Sequence, residues 1–229
     1  KIDFFSPDDL RALLDKISNS KSEVVPNLSE PGSSEPNDSD AKSEIQAEPR
    51  IAAVDGVRGV QTIDQGEDAA GIAAMRTACR LASEVLDHIT PFIQPGITTL
   101  EIDRLAAEFM KQQGTVSATI GYQPPGYPPY PGHLCTSVNQ VVCHGIPNDK
   151  PLKKGDIVNV DVTVIKDGWF GDNSRMFLIG DCSIQAKRLV STTYEAMWKG
   201  IELVRPGARL GDIGHAIQKF TEGLGFTVV

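Results

Sequence analysis

The chain is 229 residues long, 40% hydrophobic and 23% charged, and its 30 Asp+Glu outweigh 22 Lys+Arg for a formal net charge of −8. That composition suits one globular domain with appendages, and the acidic balance excludes the basic face of a general nucleic-acid binder. No run of about 18 apolar residues offers a membrane-spanning helix, so a membrane is not an expected partner either.

Reading from the first residue, "KIDFFSPDD" lacks the charged-then-apolar layout of a secretory leader. The four cysteines, Cys79, Cys135, Cys143 and Cys182, form no CxxC pair. They read as buried or pocket thiols in a reducing compartment, which predicts a cytoplasmic protein. Residues 1–17 predict a short amphipathic helix. Ser6 is its cap, Pro7 suits the first position, Asp8 and Asp9 favour the positive end of the dipole, and Leu10, Leu13, Leu14 and Ile17 share one face. Residues 18–60 are rich in Ser, Pro, Glu and Asp and predict a disordered acidic linker, because they cannot bury enough apolar surface to offset the entropy of ordering.

Residues 61–229 predict one mixed α/β domain. Apolar residues from Ile72 to Ile89 recur at helical spacing up to Pro91. A second helix opens on Thr98 with Glu101 three residues on, and closes at Gly114. β-rich segments follow at 115–122, 134–143, 157–165 and 169–179, then helices at 183–204 and 209–224, and "FTVV" opens a further strand.

Asp167-Gly168 between two alternating runs is a strong short hairpin signal. With these two residues as the turn, Lys166 faces Trp169, Thr163 faces Asp172 and Asp161 faces Ser174. Asp161 and Asp172 then share a face as diagonal neighbours, within reach of one cation or a pair of cations. A one-residue change of loop length would put them on opposite faces. Val158, Val160, Val162 and Val164 form the other face. The plain alternative is a half-solvated sheet with a polar outer side, but two short carboxylates this close repel unless a cation lies between them. Oxygen donors of this kind suit Mn, Fe, Co or Zn better than Cu(I).

His144, in "VVCHGIP", stands at the end of an apolar run and is either structural or an acid/base group near the polar patch. In "GYQPPGYPPYPGHLC", Tyr122, Tyr127, Tyr130 and Cys135 either wall an apolar pocket or form a rim loop stiffened by proline.

The stretches "VCHGIP", "DIVNVDVTVIKDG", "GDNSRMF" and "GARLGDIGHAIQKF" together resemble the bacterial type I methionine aminopeptidases, over about Thr62 to Val229. The resemblance implies the pita-bread α/β (α+β) fold, two pseudo-symmetric halves around two divalent metal ions (Co, Mn, Fe or Zn). It also implies removal of the initiator methionine from nascent polypeptides, beside the ribosome, by a cytoplasmic monomer. Carried over by position, Asp161 and Asp172 are metal ligands, with Asp172 bridging. His144 hydrogen-bonds the substrate amide, and Tyr122, Tyr130 and Cys135 line the methionine pocket, with Thr119 where many relatives have Cys. The carbonyls of Asn139 and Val141 hold a monovalent cation.

Phe170 stands where relatives usually carry His, Asn173 where they carry Thr, and Gly132-His133 where Lys-Ser is usual; each departure from the family bears on metal affinity or the pocket. The remaining family ligands, one His and two Glu, belong to motifs expected beyond Val229. The resemblance therefore implies a C-terminally truncated chain, with the first half of the fold and the helices of the second half but not its final strands, and inactive by itself. A non-catalytic pita-bread module that binds a partner, and a proline-type peptidase of the same fold, are the rival readings.

Overall fold

The computed structural model describes residues 69–229, so the helix expected over 1–17 and the acidic linker expected over 18–60 lie outside the described residues. Two helices come first. In α1 (Ala69–Ile89) the buried residues Ala78, Leu81, Ala82, Val85, Leu86 and Ile89 recur at three- and four-residue spacing. A 3₁₀ turn at Thr90–Phe92 ends it, with Pro91 unable to continue the hydrogen-bond ladder. In α2 (Thr99–Gln112) the hydroxyl of Thr98 accepts from the Glu101 amide at 3.1 Å, so the cap sits where Thr98 and Glu101 predict.

The sheet is antiparallel throughout. Its strands are β1 (Val116–Ser117), β2 (Cys135–Val138), β3 (Ile157–Lys166) and β4 (Trp169–Leu178). β3 is central, with β4 on one side and both β1 and β2 on the other. Asp167 and Gly168 have φ of 52° and 87°, the two left-handed residues of a type I′ turn. The resulting register pairs Lys166 with Trp169, Thr163 with Asp172 and Asp161 with Ser174, as the Asp-Gly turn requires.

Val158, Val160, Val162 and Val164 are fully buried against α1 and α2, together with Leu86, Ile89, Ile102 and Leu134. The β4 residues on that face fasten α1. A Cβ at Gly171 would fall 2.1 Å from the Ala78 carbonyl oxygen, so helix backbone rests directly on strand backbone there. Asn173 Nδ2 donates to Ser83 Oγ at 2.8 Å, and the buried Arg175 donates to Asp87 at 2.9 Å and Thr90 Oγ1 at 3.1 Å.

The opposite face is covered at one end only. Helix α3 (Ile184–Ile201), capped by Ser183, packs Val190 against Ile157 and Cys182, with Met176 and Leu178 alongside. Helix α4 (Leu210–Gly223) lies on α3, where Ile213 and Ile217 close over Gly200.

Three expected strands are shorter or absent. The segment expected over 115–122 pairs only at Val116–Ser117, and the one over 134–143 only at Cys135–Val138. Asn139 turns left-handed, with φ of 53°, and leads the chain off the sheet. Residues 226–229 are coil, because no strand among the described residues pairs with them.

Substituting Gly171→Ala forces α1 off the sheet and is expected to destabilise the chain by about 1–3 kcal/mol, the usual cost of overpacking. Urea unfolding measures it; an unchanged midpoint would show that helix and strand are not in backbone contact.

Candidate metal centre

The uncovered end of the second face carries the carboxylates. Asp161, Asn159, Thr163, Asp172 and Ser174 all point to it, and Cys135 of β2 sits directly opposite Asp161 in the register. When one of the two acids is protonated it hydrogen-bonds the other. Burial, then the Asp172 charge, then that hydrogen bond push the Asp161 carboxyl up to about 6, while nearby His144 pulls it back down. Without a cation the pair shares a proton below about pH 6, and above that two negative charges stand side by side. A divalent ion would replace that proton with more charge, so the pair fits a hard or borderline metal. Among the described residues no third His, Cys, Asp or Glu joins the two in a ready-made ligand cluster.

His144 is exposed and lies in a loop, not at a strand end, and its backbone φ is 54°. The loop returns to β2 immediately afterwards. The Thr136 amide donates to Gly145 O at 2.7 Å, and the Gly145 amide donates to Ser137 Oγ at 3.1 Å. That return brings His144 close enough to feel Asp161.

Tyr130 and Cys135 meet beside the acids. The phenol is held well above its ordinary pKa by burial first, then by the neighbouring Cys135 thiol and by the charges of Asp103 and Asp161. Burial likewise raises the Cys135 thiol, with Tyr130 opposing. Tyr122 is 52% and Tyr127 68% exposed, so the pocket side of this loop is Tyr130. Backbone bonds between Gly121 and Tyr130 and between Tyr130 and Tyr122, both 2.8 Å, pinch the proline-rich excursion at its neck. Thr119 Oγ1 donates to His133 O at 3.1 Å.

Asn139 is tied into β3, accepting from the Ile157 amide at 3.1 Å and donating to Asp156 at 2.9 Å; Val141 N–H donates to Val138 O at 3.1 Å. Of the two altered neighbours of Asp172, Phe170 shares its face, whereas Asn173 points to the valine side and serves the α1 contact.

Three residues at the site went unremarked in the sequence reading: Asp103, Ser137 and Gly145. Asp103, buried on α2, accepts from the amides of His133 and Leu134 at 2.8 Å each and so fixes the start of β2. An acid on the apolar stripe of a helix, next to Ile102 and Ala106, was a legible sign. Ser137 and Gly145 carried none, since their role depends on a loop folding back.

Helices α1 and α2 stacked on one side of an antiparallel hairpin, with two aspartates on the other, give the chain the pita-bread α/β fold. It belongs to metallopeptidase family M24, whose profile matches residues 73–229. It is 54% identical over 155 residues to a methionine aminopeptidase of Rickettsia prowazekii (strain Madrid E), covering 68% of this chain and 58% of that one. It is 51% identical over 156 residues to methionine aminopeptidase B of Synechocystis sp. (strain ATCC 27184 / PCC 6803 / Kazusa), covering 68% and 57%. The crystal structure of methionine aminopeptidase from Rickettsia prowazekii superposes with a TM-score of 0.66 at 52% identity, over 69% of this chain and 62% of that one. The chain thus spans a little under three fifths of the length of these two curated relatives.

The acid pair sets a pH dependence. The folded-state value of about 6 for Asp161 lies above its ordinary 3.8, so the native state binds the proton more tightly. The contribution of Asp161 to stability is therefore fully present below its ordinary value and is lost as pH rises through about 6. In chelator at pH 7.5, Asp161→Asn is expected to stabilise the chain by about 1 kcal/mol, with solvent screening of this part-exposed group discounted. At pH 4 the gain disappears. Thermal melts at both values test this, and no gain at pH 7.5 would mean the acids do not repel.

Proposed function

We propose that the protein is a methionine aminopeptidase, releasing the initiator methionine from nascent polypeptides whose next residue is small. The observation that carries this reading is the carboxylate pair, Asp161 and Asp172, with Cys135, Tyr130 and His144 gathered beside Asp161. The names of relatives at 51–54% identity agree with it.

Asp161 and Asp172 would supply carboxylate oxygens to two divalent ions (Co, Mn, Fe or Zn). When bound, such ions supply a water acidic enough to attack an amide at neutral pH and a positive anchor for the substrate's α-amine. His144 donates a hydrogen bond to the substrate amide, favouring the charge that develops on its oxygen. Tyr130 and Cys135 wall the methionine side chain and exclude water from it, with Tyr122 at the rim. The carbonyls of Asn139 and Val141 would hold a monovalent cation. The enzyme works in the cytosol as a monomer, beside the ribosome, where new N-termini emerge.

Methionine release from Met-Ala-Ser by the full-length gene product is the test. It is expected to require a divalent cation and to fall, in Asp172→Asn, by at least the roughly 100-fold that losing an outer-shell metal partner can cost. Activity that survives exhaustive chelation, or equal cleavage of an Xaa-Pro peptide, would overturn the reading.

A further inference from the structure

His144 is one of three non-glycine residues among those described with positive φ, the others being Asn139 and Asp167. Positive φ is uncommon outside glycine, although Asn, Asp and His are the residues found there most often. Such a conformation persists only where the surroundings over-determine it. Here the hold is on the next peptide. Gly145 lies so close to β2 that a Cβ would fall 2.3 Å from Thr136 O. Its N–H is bound by Ser137 Oγ at 3.1 Å, and its carbonyl oxygen accepts twice, from the Thr136 amide at 2.7 Å and from the Tyr130 hydroxyl at 2.8 Å.

The Tyr130 hydroxyl also lies 3.1 Å from Leu134 O. Having one proton, it donates to one carbonyl at a time, and the shorter distance is to Gly145. Leu134 is itself anchored, since its amide donates to Asp103 at 2.8 Å. The hydrogen bond between Leu134 and Asp103, the covalent chain from Tyr130 to Leu134, and the hydrogen bond from Tyr130 to Gly145 therefore join α2 to the backbone of His144. Tyr130 is the only side chain in that run that reaches the Gly145 carbonyl.

We infer that Tyr130 is a positioning residue for His144: its hydroxyl clamps the His144–Gly145 peptide onto β2 and holds the imidazole beside the carboxylate pair. This assignment rests on the peptidase reading above and adds to it. The ring of Tyr130 walls the pocket, while its hydroxyl acts through His144. Loss of the hydroxyl should therefore leave methionine recognition intact and damage turnover.

Tyr130→Phe keeps the ring and removes the clamp. In the full-length product, kcat for Met-Ala-Ser is expected to fall about tenfold with KM within about twofold, the loss one neutral hydrogen bond typically brings. In a His144→Asn background, where the left-handed backbone is tolerated and the imidazole is gone, the same change should cost nothing further. A readout independent of activity comes from NMR of the chain: in Tyr130→Phe the His144 ring signals move and the Gly145 amide exchanges faster, while valine-face methyl signals stay in place. Unmoved His144 signals, or additive losses in the double variant, overturn the clamp. If the unmodified protein releases no methionine but the His144 and Gly145 signals respond, the peptidase reading fails and the clamp stands.

Discussion

Everything at the site depends on the length of one turn. Asp167 and Gly168 occupy the two left-handed positions that let β3 reverse into β4 with a two-residue loop. Because side chains alternate along a strand, that length decides which side of the sheet each residue of β4 meets. It puts Asp172 with Asp161 and, on the other side, Gly171, Asn173 and Arg175 with the valines. A one-residue slip would bury a carboxylate against α1 and turn Arg175 out to the open face.

The two faces carry opposite obligations. On the valine side the free energy comes from packing. Four valines are sealed from water, and Gly171 lets α1 approach to backbone contact. The polar side chains admitted there each have a partner on α1 or the turn that ends it, Ser83 for Asn173 and Asp87 with Thr90 for Arg175. On the other side the free energy is spent. Asp161 sits partly buried beside the exposed Asp172 and is pushed up to about 6. A group held away from its ordinary ionisation is unfavourable for stability and useful for capturing a cation. The well-packed face is what lets the sheet tolerate the strained one.

The hairpin and helices were legible because local rules set them. Thr98 and Glu101 fix the start of α2, Pro91 closes α1, and Asp167-Gly168 sets the register from which the shared face of Asp161 and Asp172 follows. The short strands were not legible. Residues 139–143 read as strand because "VVC" is apolar, yet Val141 and Val142 are 40% and 66% exposed in a loop. The left-handed turn at Asn139 took the chain off the sheet, and local β-propensity does not survive without a neighbouring strand to pair with. Asn173 was similarly misread as part of the metal surroundings. Its parity along β4 assigns it to α1, which the turn itself would have told.

By itself the sequence determined the hairpin, its register, the shared face of the two acids and the family to which the motifs belong, since all of these rest on contacts between residues near in the chain or on unambiguous alternation. Only the tertiary structure decided how His144 reaches the acids, why Gly145 follows it, and what the Tyr130 hydroxyl does there. Those answers join α2, the proline-rich loop, β2 and the returning loop. Contacts between residues 15 or 30 positions apart, as between Tyr130 and Gly145 or Asp103 and His133, leave no periodicity in the chain to read.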